Sequence, residues 1–311
     1  MPLIESEAGL IERLRLLFHT EFQSGVEVGI GDDAAVVAPS QNKLVATVDM
    51  AVEEIHFKRE WSTPFHIGAK LTTANLADIY AMGAMPKYLL VAAAITEVDN
   101  SEVITELAKG IRSVADRYQV SVIGGDLSRS PKMSLSITAL GEISGEPITR
   151  HGARVGDLVY LSALPGLSAA GLAILTRGLD RPRYVVEAHL NPKLLPPTEL
   201  IKVATSMCDI SDGLASDAKN IAKASGVDIS LSRELFKSSP DYKDLAELAN
   251  ELGEDVFDWI ISGGEDHFFL ATVSPADAHE GIGIQVGKVE KGTGQVLLDG
   301  NEIKKTGYQH F

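Results

Sequence analysis

Cysteine is almost absent from this 311-residue chain. Cys208 stands alone, which excludes an intrachain disulfide and any multi-cysteine metal site. With no local base beside it, Cys208 reads as a small buried hydrophobe. Long apolar runs are missing too: the longest, Leu89 to Ile95, is too short to cross a bilayer. The opening residues, Met1 to Glu7, have neither a basic region nor an apolar stretch, which predicts no secretory leader and a cytoplasmic protein. Positive charge is in deficit, with 28 Lys and Arg against 43 Asp and Glu for a net charge of −15. That balance argues against nonspecific attraction to nucleic acid or to an anionic membrane. The usual nucleotide motifs are also lacking. There is no G-x-x-x-x-G-K-[ST], no G-x-G-x-x-G opening a helix after the first strand, and no kinase HRD or DFG. Any nucleotide chemistry here uses another scaffold.

What is present is ordinary globular material, 45% hydrophobic and 23% charged, with no repeat or low-complexity tract. At about 100–200 residues per domain, the length suggests two. Leu10, Leu14 and Leu17 mark an amphipathic helix over 5–19. Strands are expected at Lys43–Asp49, Tyr88–Ile95, Val120–Ile123 and Met133–Glu142. Helices are expected over 65–83, ended by Gly83, and from an N-cap at Ser101 to about Tyr118. After Gly145-Glu146-Pro147 the pattern restarts. A strand at Asp157–Ala163 leads through Pro165-Gly166 into a helix capped by Ser168. Asp212 is the expected cap of a helix over Gly213–Ala224, stopped by Gly226. Strands follow at Val227–Leu231, Phe268–Val273 and Ile282–Val289. Strands and helices mix in both halves, so the expected class is α/β (α+β), with domains at 1–147 and 148–311.

The acids carry the chemistry. Most are scattered among polar residues as solvated surface, but a smaller set stands beside glycine or at strand ends, where backbone approaches a ligand closely. These are Asp32 and Asp33 in GIGDDAA, Asp49, Asp126 after Gly124-Gly125, Asp209 and Asp212 around Ile210-Ser211, and Glu265 and Asp266 after Gly263-Gly264. Asp78 is distinct. At 100° per residue, Leu71, Asn75, Asp78 and Met82 share one narrow helix face. A carboxylate on that face needs a cation or several donors, and no Lys or Arg lies on the stripe. A metal ion and a neighbouring loop capped by the carboxylate are equal alternatives. Oxygen ligands without His or Cys clusters point to Mg²⁺, held by carboxylates together with substrate phosphates.

The motifs GIGDDAAVV (29–37), VDMAVEEIHF (48–57), NLADIYAMGAMP (75–86), GGDLSRS (124–130), TRHGARVGD (149–157), LSAAGLAIL (167–175), DISDGLASD (209–217), SGGED (262–266) and GYQHF (307–311) occur in order nearly end to end. In them the chain resembles the thiamine-monophosphate kinases of the aminoimidazole-ribonucleotide-synthetase-like superfamily. The resemblance implies a two-domain fold whose N-terminal domain, at 1–147, binds ATP and Mg²⁺ and pairs into a homodimer with a shared β-barrel. It implies transfer of the γ-phosphate of ATP to thiamine monophosphate, with several Mg²⁺ ions. Asp33, Thr47, Asp49, Asp78, Asp126, Asp209 and Asp212 match metal positions. Gly125, Asp126, Arg150 and Ser211 match ATP positions, and His56, Glu265 and Tyr308 match substrate positions. Asp126, Asp212 and Arg150 are the expected catalytic group.

The chain departs from that pattern in three places. Val48 replaces a hydroxyl residue before Asp49, Leu127 interrupts the usual GGDTT, and GGED continues as His267-Phe268 where the family has Tyr-Glu. Selenophosphate synthetases carry a cysteine or selenocysteine near the N-terminus and hydrogenase-maturation relatives end in a cysteine-bearing tail; neither is found here. A non-catalytic nucleotide-binding relative is the remaining rival, and turnover separates it from a kinase.

Overall fold

Alternation and close-packed glycines build the N-terminal half. The structure, a computed structural model, describes residues 7–19, 25–30, 34–303 and 307. The chain divides into two units, Met1–Ile79 with Ala84–Glu146, and Tyr80–Gly83 with Pro147–Phe311. The first contains α1 (Glu7–Phe18), β1 (Val26–Val28), β2 (Val36–Val37), β3 (Lys43–Val52), most of α2 (Pro64–Ala81), β4 (Met85–Ile95), α3 (Ser101–Arg117), β5 (Ser121–Arg129) and β6 (Ser134–Ile143). β1 and β2 pair with each other, and the other strands form an open sheet ordered β3-β6-β4-β5. Its ladders are antiparallel except β4/β5, which is parallel. The expected alternation is realised in β6, where Leu135, Ile137 and Ala139 are fully buried. α2 and α3 cross at glycines. A Cβ on Gly68 would meet Leu107 O at 2.2 Å, and one on Gly110 would meet Phe65 O at 2.0 Å.

The other face of this sheet carries large apolar side chains among polar ones, and among the described residues nothing covers them. Leu44, Val48 and Met50 on β3 and Met85 on β4 are each more than half exposed. Among the described residues the sheet does not close, so the barrel implied by the resemblance is not formed within one chain.

Three local expectations are corrected. Asn100, not Ser101, caps α3, because its Oδ1 accepts the Glu102 and Val103 N–H groups. β3 runs past Asp49 to Val52. β5 does not stop before Gly124-Gly125-Asp126 but runs through it to Arg129. There the glycines permit close pairing rather than ending the strand: a Cβ on Gly125 would stand 2.0 Å from Val91 O.

The second unit holds β7 (Leu158–Leu161), α4 (Leu167–Thr176), α5 (Arg183–Leu190), α6 (Thr198–Val203), β8 (Ala204–Asp209), α7 (Leu214–Ser225), β9 (Val227–Leu231), α8 (Arg233–Phe236), α9 (Tyr242–Leu252), α10 (Val256–Ser262), β10 (Phe269–Val273), β11 (Ile284–Lys291), β12 (Val296–Leu298) and β13 (Asn301–Glu302). Its mixed sheet runs β13-β12-β9-β11-β7-β10-β8. α7 packs on this sheet with Leu214, Ala218 and Ile221 fully buried, and Gly226 ends it at φ +67. Neither Ser168 nor Asp212 caps a helix with its side chain. The N-caps are Gly166 and Gly213; Asp266 takes the Gly166 and Ser168 N–H groups at the start of α4, while Asp217, in the first turn of α7, takes those of Ser211 and Asp212 ahead of the helix. Among the described residues no helix is long and apolar enough to cross a membrane.

Candidate active site

In the first unit, strand alternation turns Thr47 and Asp49 inward, onto α2. Thr47 Oγ1 donates to Asp78 Oδ2 at 2.7 Å, and the Asp49 N–H donates to Asn75 Oδ1 at 3.2 Å. Asn75 is fully buried and anchored to Leu71 O through its Nδ2. Asp78 is half-buried rather than enclosed, and its hydroxyl donor comes from β3. The stripe read from the sequence thus exists, and it faces a polar strip of strand.

The sheet register places Gly125 in line with Asp49, along the row Asp49–Ile137–Val91–Gly125. Asp126 is exposed and falls in the next row, Met50–Ser136–Ala92–Asp126. Alternation therefore gives it the opposite face from Asp49. Among the described residues no group of three or more His, Cys, Asp or Glu side chains is gathered as a metal centre.

His56 lies in a turn after β3. Its Nδ1 accepts the Val52 N–H at 3.0 Å, which leaves the proton of the neutral ring on Nε2. Arg59 fixes this turn, pairing with Glu53 at 2.8 Å and forking onto Asp99. Glu53 Oε2 in turn accepts the Met133 N–H. The Arg59 guanidinium and the Thr96 donors hold the Asp99 carboxyl down at about 2.

In the second unit, two loops run together. Asp209 ends β8 and is buried, 3.4 Å from His267 Nδ1. Ser211 and Asp212 follow, half-buried, and both of their N–H groups donate to Asp217 Oδ2 at 3.1 and 3.2 Å. Burial, reinforced by the charges of Asp209 and Asp212, pushes Asp217 up to about 7. The Ser262–Phe268 loop lies alongside: Glu265 N–H donates to Ser211 O at 2.8 Å, and His267 N–H to Ile210 O at 3.1 Å. The approach is close enough that a Cβ on Gly264 would stand 2.3 Å from Ser211 O. Arg150 is exposed, and its carbonyl accepts from Ser225 Oγ, which also accepts the Gly152 and Ala153 N–H groups. Near the C-terminus, the chain at Gly307 passes so close that a Cβ would lie 1.6 Å from Asp212 O. Asp32, Asp33 and Tyr308 lie outside the described residues.

The AIR synthase related protein family matches on both sides, its N-terminal domain over residues 31–143 and its C-terminal domain over 154–295. The thiamine-monophosphate kinase of Mycobacterium tuberculosis is 36% identical over 290 residues, covering 91% of this chain and 84% of that protein. That of Aquifex aeolicus is 30% identical over 314 residues, covering 98% of each. The chain belongs to the thiamine-monophosphate kinase family of AIR synthase related proteins. A solved structure of AaThiL complexed with AMPPCP and TMP matches with a TM-score of 0.80 at 30% identity, covering 98% of this chain and 97% of that one.

The departures from the family pattern now have places. Val48 is 60% exposed and shares the outer face with Leu44 and Met50, so its missing hydroxyl takes no oxygen from the Thr47–Asp49–Asp78 strip. Leu127 falls in the row Ala51–Leu135–Ala93–Leu127, which is apolar. His267 is buried against Asp209.

Asp217, His189 and Arg59 carry no expected role in the sequence, whereas Asp266 stands there among the glycine-flanked acids. Asp217 had a usable signal, since Leu214, Asp217 and Ile221 share the buried stripe of α7, as Leu71, Asn75 and Asp78 share that of α2. His189 and Arg59 are placed by tertiary contacts alone, as are the partners of Asp266 on α4.

Proposed function

We propose that this chain transfers the γ-phosphate of ATP to thiamine monophosphate, forming thiamine diphosphate and ADP. The observation that carries the reading is the joining of the Ser211–Asp212 and Glu265 loops by direct backbone hydrogen bonds. An ATP- and metal-side segment and an acceptor-side segment are thereby held as one piece. The AaThiL structure with AMPPCP and TMP supports the same pair of ligands.

The acceptor is a phosphate oxygen already ionised at neutral pH, so no strong general base is required. It attacks the γ-phosphorus in line, the bridging bond to the β-phosphate breaks, and ADP leaves with the electron pair. Such transfer is mostly positioning and charge stabilisation. In this reading Arg150 clamps phosphate in two-pronged fashion, with the Gly125 and Ser211 segments beside ATP. His56, Glu265 and Tyr308 hold the thiamine phosphate. The donor set fits Mg²⁺: Thr47, Asp49 and Asp78 offer hard oxygens on one strip, and Asp209 at the end of β8 and Asp212 in the loop after it offer carboxylates. With Asp33 and Asp126 these residues would hold several ions. Bound there, Mg²⁺ would supply positive charge against the phosphates.

The same reading assigns ATP and Mg²⁺ binding and dimerisation to residues 1–147, the C-terminal domain to 148–311, and the enzyme to the cytoplasm. The uncovered face of Leu44, Val48, Met50 and Met85 supports a homodimer in which a second copy covers that face, completing a barrel. The expected mass in solution is twice that of one chain, and Val48→Glu with Met50→Glu is expected to halve it; a wild-type monomer removes the dimer.

The direct test of function is ATP-dependent conversion of thiamine monophosphate, with Mg²⁺ or with chelator, using free thiamine as the comparison acceptor. Mg²⁺-dependent diphosphate formation from the monophosphate alone is expected. ATP binding without product would favour the non-catalytic rival.

A further inference from the structure

Glu265 and His267 hold φ of +63 and +54, a left-handed conformation that side chains disfavour, and Asp266 sits between them. Its buried carboxylate leaves the loop. Oδ2 accepts the Gly166 N–H at 2.7 Å and Oδ1 the Ser168 N–H at 3.0 Å, which are donors at the start of α4 with no helical partner. That N-terminus is therefore already satisfied from within the protein. The contacts continue in a circuit. Ser168 Oγ lies 3.2 Å from His189 Nδ1 on α5, and the same ring nitrogen lies 3.7 Å from Glu265 Oε2.

We infer that Asp266 is a positioning residue for the acceptor side of the site. By docking on the first turn of α4 it holds the reversed backbone from which Glu265 projects. The Ser168–His189 pair, tied to the same turn, meets the Glu265 carboxylate from the other side. Backbone and side chain of Glu265 are thus both placed through α4. The inference rests on the reading of Glu265 as a contact for the thiamine phosphate.

The test compares Asp266→Ala and Asp266→Asn with wild type in the full chain. The alanine variant loses both acceptors, whereas asparagine keeps one carbonyl oxygen and is the milder change. KM for thiamine monophosphate is expected to rise about tenfold in the alanine variant and less in the asparagine variant, the scale of one lost hydrogen bond. KM for ATP is expected to stay within about twofold. Amide hydrogen exchange over 262–268 is expected to quicken in both variants, while that of β10 stays unchanged. Equal rises in both KM values, or unchanged exchange over 262–268, would overturn the inference. Should wild type fail to use thiamine monophosphate, the functional reading falls, and the exchange experiment alone decides the role of Asp266.

Discussion

In the first unit Thr47, Asp49 and Asp78 stand on a regular strand and a regular helix, whereas in the second Ser211, Asp212 and Glu265 stand in loops. The first arrangement needs only alternation on β3 and helical spacing on α2 to bring its oxygens onto one strip. The second has no such period. Its loops are held by backbone pairing, by Gly264 at a spacing no side chain fits, and by the carboxylates of Asp217 and Asp266. Regular elements thus position side chains through geometry already fixed by the backbone. Loops need buried polar groups to do the same, at a desolvation cost visible in the raised Asp217 and Asp266 carboxyls.

The largest expected effect tests whether both units serve one reaction. Asp126→Asn in the first and Asp212→Asn in the second are each expected to lower kcat by on the order of 10²–10³-fold, with thermal unfolding little changed. Near-normal turnover in either variant would remove that acid from the site and leave the chemistry to one unit.

The same contrast explains what could be read from the sequence. The Leu71–Asn75–Asp78 stripe and the alternation of β6 are local periods, and both are realised. The end of β5 was misread because Gly124-Gly125 has two meanings, a break or a close approach, and only the distance from Gly125 to Val91 O distinguishes them. The capping roles given to Ser168 and Asp212 failed for a related reason. At α4 the acceptor is Asp266, 98 residues away along the chain, and α7 starts at Gly213 with no side-chain cap. The SGGED pattern marks Asp266 as a glycine-flanked acid, and no local pattern reveals its docking on α4. The motif resemblance reached the Glu265 loop without explaining what holds it.

A middle-sized effect compares backbone with side-chain support. Gly264→Ala places a methyl against Ser211 O and is expected to destabilise the protein by about 2–3 kcal/mol. Thr47→Val keeps the branched shape and removes one hydrogen bond to Asp78, an expected loss of about 1 kcal/mol. Denaturant titration of the metal-free chains measures both. A valine variant as unstable as the alanine variant would erase the distinction between the two units.

The most gradual effect is a pair of opposite pH slopes. Asp99, held at about 2 by Arg59, releases its proton more readily in the folded chain than in the unfolded one, where 3.8 is the usual value. Its stabilisation is complete above the usual value and is lost as the pH falls through about 2. Asp266, raised by burial to about 6, keeps its proton in the folded chain after the unfolded chain has released it. Its contribution therefore declines as the pH rises from about 4 to about 6, by roughly 1 kcal/mol per pH unit, near the limit for one proton. Unfolding free energies of the metal-free protein between these pH values measure the decline. Asp217, raised to about 7, adds a decline of the same sign, so Asp266→Asn is expected to make that limb shallower while leaving the acid limb of Asp99 in place, and Asp99→Asn to remove the acid limb alone. A decline as steep in Asp266→Asn as in wild type would exclude this carboxylate as a source, and with it the view that the Glu265 loop is held at the expense of a buried charge on Asp266.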